Sequence, residues 1–198
     1  MTHVPDIKRP VLGKPVVFDS DSRFLSATID PQANMAYLAT PDMLYVADLS
    51  RNKPRPEPLV PLEASDQLGW MRFDAKNKRL LLTDSEFGRL YAIELAGETP
   101  RVRMLTDGLG WAADLKIDLK TGAFYIADSK GKKIWRLKCE TDRCGKPQVF
   151  ARSSEFVTPR NLEVDTDGTL WVSDPQARKI FAIDGKGAIR RTISSLVP

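Results

Sequence analysis

The residues needed for nucleophilic catalysis are the first to look for, and they are missing. A serine or cysteine nucleophile needs a base within hydrogen-bond reach, most often a histidine. The one histidine, His3, stands in the N-terminal stretch, and no Gly-x-Ser-x-Gly elbow, phosphate loop or dinucleotide fingerprint occurs. Cys139 and Cys144 bracket the loop CETDRCGKP. Thiols this close suit a disulfide clamping a tight loop or remain free, and with no third thiol nearby a metal site is the weakest reading. What remains is a set able to bind rather than react. Asp66, Asp114, Arg160 and Asn161 offer acid, base and amide, and Trp70 and Trp111 each sit in a Leu-Gly-Trp triplet. An arginine takes a carboxylate or phosphate in a fork, and an indole stacks on a flat ligand. The same groups could instead tie or wedge neighbouring elements together.

What positions them is a repeat. Asp30, Asp74, Asp118 and Asp165 stand 44, 44 and 47 residues apart, the period of four-stranded propeller blades. After each comes a turn and an apolar strand (Met35 to Thr40, Arg79 to Asp84, Ala123 to Asp128, Thr169 to Asp174), then a second strand from Met43, Arg89, Lys133 and Lys179. A shorter strand before each anchor (SATID, WMRFD, LKID, NLEVD) is expected innermost, along a central channel. A more charged strand after each pair (EPLVPLE, RVRMLTD, PQVFAR, AIRRTIS) is expected at the outer edge. These runs are rich in β-branched and aromatic residues and bounded by Gly, Asp, Asn and Pro, while no window carries helical periodicity. The fold expected is all-β, a β-propeller of four recognisable four-stranded blades at about 23–63, 66–107, 109–152 and 156–195, within a single domain 1–198.

The ends bear on closure. KPVVFDSDSRFL from Lys14 resembles KPQVFARSSEFV from Lys146, so residues 1–22 read as an outer strand and a link whose own blade is missing. ISSLVP resembles the link SSEFVTP that introduces the fourth blade. The reading favoured is a section of a larger, six-bladed propeller; the alternative is a small closed ring. A section exposes blade faces meant for burial and favours association with another chain, including a second copy.

Within this frame Asp114, Arg160 and Asn161 fall at the start of innermost strands, at one end of the channel, with Asp66 in the link before the second blade. Asp84, Asp128 and Asp174 recur at strand ends, where a carboxylate accepts backbone N–H groups of the following turn. Trp135 and Trp171 lie mid-strand, as core residues do.

Composition bounds the rest. The chain has 198 residues, 30 Lys and Arg against 26 Asp and Glu, and a net charge of +4. Its basic residues are scattered, and the densest group, Lys130, Lys132, Lys133, Arg136 and Lys138, reads as a solvated face, which disfavours nucleic acid as a partner. No run reaches the ~20 apolar residues of a membrane-spanning helix, and the N-terminus lacks the apolar core of a signal peptide. A disulfide at Cys139 and Cys144 would imply a secreted or periplasmic protein; free thiols would imply a cytoplasmic one.

PRNLEVDTDGTLWVSDPQARKIFAID, from Pro159, resembles the NHL repeat and the blades of the senescence-marker-protein/gluconolactonase family; FDAKNKRLLLTDSEFGRLYAIEL, from Phe73, is similar to YWTD blades. The resemblance to the gluconolactonase family implies lactone hydrolysis with one divalent cation such as calcium, held by carboxylates and asparagines just before innermost strands. Carried over blade by blade, the ligand position falls on Leu25, Gly69, Ala113 and Arg160, none of them a ligand; one residue further on, Asp114 and Asn161 become available. Two functions follow as expectations. One is a binding or scaffold module, without cofactor, that recognises a small polar molecule or a protein at the channel mouth. The other is a lactonase-like hydrolase with a divalent cation at Asp114 and Asn161.

Overall fold

Sixteen strands follow one another in a computed structural model of the chain, which describes residues 23–140 and 143–194. No helix occurs among them. The N-terminal outer strand and link expected over residues 1–22 lie outside the described residues.

The strands form four antiparallel sheets, each drawn from one continuous stretch of chain. The first sheet holds β1 (Ser26–Asp30), β2 (Met35–Ala39), β3 (Met43–Asp48) and β4 (Glu57–Pro61). The second holds β5 (Leu68–Asp74), β6 (Arg79–Asp84), β7 (Arg89–Glu94) and β8 (Arg101–Thr106). The third holds β9 (Ala112–Ile117), β10 (Ala123–Asp128), β11 (Lys133–Lys138) and β12 (Gln148–Arg152). The fourth holds β13 (Asn161–Val164), β14 (Leu170–Asp174), β15 (Lys179–Ile183) and β16 (Ile189–Ser194). In each sheet the strands lie in chain order, so every connection is a hairpin. The innermost strands β1, β5, β9 and β13 pack one against the next and line a channel.

Side chains of a strand alternate between its faces, and a sheet with neighbours on both sides buries both sets. β6 and β10 are accordingly buried along their whole length. One core lies between each pair of consecutive blades. Tyr37 and Leu44 meet Met71, Leu80 and Leu82; Leu81 and Leu90 meet Leu115, Phe124 and Ile126; Tyr125 and Ile134 meet Leu162, Val172 and Phe181. No core among the described residues joins the fourth blade to the first, so the described residues form an arc of four blades.

The outward face of the fourth blade shows what the arc lacks. Ile134 of β11 is fully buried, yet Ile180, in the same place on β15, is 42% exposed; Ala151 is 4% exposed and its counterpart Ile193 40%. β14 alternates between buried and half-buried positions, unlike β6 and β10. Trp171 corrects the expectation that it sits in a core. Its counterpart Tyr125 is enclosed by the fourth blade, whereas Trp171 belongs to none of the cores, no further blade among the described residues covering it.

Five hairpins share one turn: four residues after an aspartate strand end, the last with positive φ. Asn34, Lys78, Lys132 and Arg178 take this position at φ of 53, 49, 51 and 53°, and Gly88 at 61°. Gly88 is irreplaceable for a further reason, since a Cβ there would lie 2.7 Å from the Gly110 carbonyl oxygen.

The strand-end aspartates do more than cap these turns. Asp84, Asp128 and Asp174 are buried. Each accepts an amide from the turn that follows, Phe87 N at 3.1 Å, Gly131 N at 2.8 Å and Ala177 N at 3.0 Å. Each also reaches back to the link that leads into its own blade. Asp84 accepts Ser65 N at 2.8 Å and Ser65 Oγ at 2.6 Å. Asp128 accepts Trp111 N at 3.0 Å. Asp174 accepts Val157 N at 2.7 Å and Thr158 N at 3.0 Å. A buried carboxylate needs such partners, and the N–H groups of a buried loop need an acceptor.

Replacing Asp174 by alanine orphans three amides at once. At about 1.5–3 kcal/mol for a hydrogen bond to a charged group, Asp174→Ala is expected to lower the unfolding free energy by at least ~3 kcal/mol, read as a lower urea midpoint. A loss below ~0.5 kcal/mol, the range of ordinary surface substitutions, would contradict this role.

Candidate functional site

The links held by the aspartate clamps converge at one end of the channel. There they surround a cavity of about 690 Å³ lined by residues from all four blades. The first contributes Leu25, Ser26 and Ala27, the second Gln67 to Trp70 and Ser85, the third Trp111, Ala113, Ser129 and Lys130, and the fourth Thr158, Arg160, Asn161, Pro175 and Gln176. No aspartate or glutamate among the described residues lines it. A second hollow of about 770 Å³ adjoins it between the second and third blades, sharing Ser85, Trp111 and Lys130 and bounded by Phe87 and several glycines.

The expected site residues separate into those at the cavity and those in its wall. Trp70 lines the cavity and is 41% exposed, with the Arg72 guanidinium 5.1 Å from its ring centre. Trp111 lines it with Lys130 Nζ 3.4 Å from its ring centre. Arg160 lines it, exposed, and forms no ion pair with any described residue. Asn161 lines it half-buried, its Oδ1 accepting Ser173 Oγ at 3.3 Å. Asp66 is exposed on the link before β5 and is not part of the lining.

Asp114 is in the wall. It is fully buried; Oδ1 accepts Arg72 Nη2 at 2.9 Å and Leu115 N at 2.8 Å, and Oδ2 accepts Leu162 N at 2.8 Å. Burial pushes its carboxyl above the usual carboxylate range, and the Arg72 guanidinium and the amides of Leu162 and Leu115 pull it partly back. One side chain thus joins three consecutive blades.

Counting from the anchor aspartates explains this role. Asp114 stands four residues before Asp118, as Ser26 does before Asp30, Trp70 before Asp74 and Asn161 before Asp165. Ser26 Oγ accepts Met71 N of the next blade at 2.8 Å, the same bond that Asp114 makes to Leu162 N. Trp70 cannot accept such a bond, and Arg72 bridges instead, to Leu115 O at 3.2 Å and to Asp114. Ser85 Oγ donates to Ala112 O at 2.9 Å and Ser129 Oγ to Pro159 O at 2.7 Å, again across blade boundaries. Lys116 and Glu163 pair at 2.5 Å between the third and fourth blades. Asn161 therefore holds the position from which a blade reaches its successor.

The glycines of the two Leu-Gly-Trp triplets are explained by space rather than by ligand. A Cβ on Gly69 would lie 2.2 Å from Thr83 Oγ1, and one on Gly110 would lie 2.3 Å from Asp128 Oδ2.

The ligand positions that the family resemblance names, Leu25, Gly69, Ala113 and Arg160, all line the cavity. They offer no anionic donor for a cation. No group of three or more His, Cys, Asp or Glu able to hold a metal occurs among the described residues, and both oxygens of Asp114 are already engaged. The residues present do not fit a divalent cation.

Sequence reasoning missed Lys130, Gln67, Thr158 and Gln176. Their common signal was position: each lies on a link or turn that a strand-end aspartate fixes. Away from the cavity, Cys139 and Cys144 form a disulfide, flanked by Glu140 N to Arg143 O at 2.8 Å and Gly145 N to Lys138 O at 2.9 Å. Both sulfurs pack against the core between the second and third blades.

A family model described as SMP-30/gluconolactonase/LRE-like region matches residues 67–197. Among solved structures, a virginiamycin B lyase from Staphylococcus aureus is similar with 15% identity and a TM-score of 0.70, over 91% of this chain and 58% of that one. A catalytically inactive histidine variant of that lyase with quinupristin is similar with 14% identity and a TM-score of 0.68, over 87% and 56%. A putative 6-phosphogluconolactonase from Bacteroides uniformis is similar with 12% identity and a TM-score of 0.66, over 85% and 54%. The chain thus spans a little over half the length of these structures, and at such identities the likeness is one of fold. No curated protein matches the chain.

Arg72→Met tests the wall directly. Without the guanidinium, the Asp114 carboxyl is expected to titrate at still higher pH, followed by the carbon-13 shift of its side chain. Because the folded pKa is already raised above the unfolded value, the cost of burying this charge is present at neutral pH and is relieved as pH falls through that titration. The variant should lose more stability at neutral than at acid pH. An Asp114 titration unmoved or lowered would contradict the pairing.

Proposed function

The chain belongs to the SMP-30/gluconolactonase/LRE-like family, and from that premise we propose that it is a propeller binding module that takes a small polar ligand at its channel mouth. The observation that carries this reading is the cavity to which all four blades contribute, with two indoles, three side-chain amides and two cations on its wall. Pockets that orient ligands combine flat apolar surface with a few convergent polar groups. Among the described residues the lining offers no activated nucleophile: of its hydroxyls, Ser26, Ser85 and Ser129 meet no histidine or carboxylate, and Thr158 Oγ1 meets only Asp174 Oδ1, at 3.3 Å, a carboxylate already held by the amides of Val157, Thr158 and Ala177.

The lactone-hydrolase reading rests on the family match and the likeness to a putative 6-phosphogluconolactonase. It needs a cation that the cavity's residues do not suit. The likeness to a lyase inactivated by loss of a histidine adds no activity here, because the sole histidine of this sequence is His3. The disulfide supports an oxidising compartment, secreted or periplasmic. The absence of thiols reactive with Ellman's reagent in the untreated chain is the expected result.

The indole N–H resonances test the binding reading. Titration with D-gluconate, its lactone or quinupristin is expected to move the Trp70 and Trp111 signals in at least one case and to leave Trp135 and Trp171 in place. Shifts confined to Trp171 would place binding on the open blade face and contradict it. Millimolar calcium is expected to leave the melting temperature unchanged. A rise of several degrees that is lost in Asp114→Ala would favour the hydrolase, since a ligand that binds only the native state stabilises it.

A further inference from the structure

We infer that the ligand of this cavity is an oxyanion, a carboxylate or phosphate carried next to a flat ring, with Arg160 as its principal partner and Lys130 as its second; the inference rests on the channel-mouth reading above. Among the described residues, two cationic side chains line the cavity and no carboxylate does. The buried acids nearest it are spent elsewhere, and the exposed Asp66 and Glu86 stand outside its lining. Asp114 faces Arg72 and two amides in the wall, and Asp84, Asp128 and Asp174 are buried under the amides of the links. Asp128 also draws Lys133, at 3.5 Å, leaving Lys130 to Trp111.

Arg160 contrasts with several charged residues that carry a partner, and, unlike Arg101, Arg152, Arg178 and Arg191, which also form no ion pair with a described residue, it lines the cavity. Arg72, Arg51 and Arg190 are each paired with a carboxylate, and Lys116 and Lys179 likewise. Arg160 has no such partner among the described residues and stands at the rim of a concave, partly apolar site, where field lines concentrate and a guanidinium binds oxyanions in a fork. It occupies the position where family members are expected to carry a cation ligand, so the charge preference of the mouth is reversed. Trp111, with Lys130 over its ring, and Trp70 supply flat surface beside it.

Paired probes separate charge from shape. Phenyl phosphate carries a ring and an oxyanion, and benzyl alcohol a ring of similar size without charge. Followed by the indole N–H signals of the full chain, phenyl phosphate is expected to bind at least ~10-fold more tightly, an advantage of about 1.4 kcal/mol. Arg160→Ala should abolish that advantage, Arg160→Lys should keep part of it, and Lys130→Ala should reduce it. Arg160 is exposed and its backbone amide alone is engaged, to Ser173 O at 2.9 Å, so these variants leave the fold intact. Equal shifts of Trp70 and Trp111 by both probes, unaffected by Arg160→Ala, would overturn the inference while leaving a channel-mouth binding site. No shift of either indole by either probe at millimolar concentration would overturn both.

Discussion

A buried carboxylate at the end of the second strand of a blade is the contact on which this structure turns. Each blade must solve the same problem. Its chain arrives from the outer edge of the previous blade and crosses the top of the arc to reach the channel, over ground where its amides are sheltered from water. Asp84, Asp128 and Asp174 answer it by accepting those amides and, with the same oxygens, the amide of the following turn. The first blade has Thr40 in that place, and among the described residues its hydroxyl meets only its own hairpin, accepting Met43 N at 3.1 Å. The residues that line the cavity are those just beyond the clamped amides, so the geometry of the mouth is inherited from the clamps.

The second layer of organisation runs from blade to blade. Apolar cores supply most of the adhesion, but they are non-directional, and register is set by polar stitches on the channel side: Ser26 to Met71, Arg72 to Leu115 and Asp114, Asp114 to Leu162, Lys116 to Glu163. Where the stitches need a carboxylate, its charge is consumed in the wall. The charge that the described residues leave facing the cavity is therefore positive, although aspartates end three of the strands around it. On the outer face of the fourth blade the apolar half of the same design stands open, with Trp171, Ile180 and Ile193 in the positions that Tyr125, Ile134 and Ala151 bury, and Asn161 in the position of a stitch.

Architecture was legible because it is repeated. The anchors Asp30, Asp74, Asp118 and Asp165 align the starts of the first three strands of every blade to within two residues, while the outer strands begin 24 to 30 residues after them. The site was legible only in part. Trp70 and Trp111 share a triplet but not a register: Trp70 stands four residues before its anchor and Trp111 seven. Counting from the anchors, rather than matching triplets, puts Ser26, Trp70, Asp114 and Asn161 in one class and separates the wall residue Asp114 from the rim residue Arg160. Lys130 was hidden in a basic stretch that reads as solvated surface, and what sets it apart is its place in the turn clamped by Asp128. The double duty of the strand-end aspartates had no local signal, since their second partners lie 16 to 19 residues away in sequence. The exposure of Trp171 depends on a neighbour that no local pattern reports.

Native-state hydrogen exchange of four link amides, Ser65, Trp111, Val157 and Thr158, tests the clamp most directly. They lie outside regular strands, where open loops exchange freely. The clamps predict protection comparable to that of the central strands β6 and β10, because opening the link means unpairing a buried carboxylate. Exchange of these amides at the rate of exposed turn residues such as Lys186 would contradict the claim that the strand-end aspartates build the channel mouth.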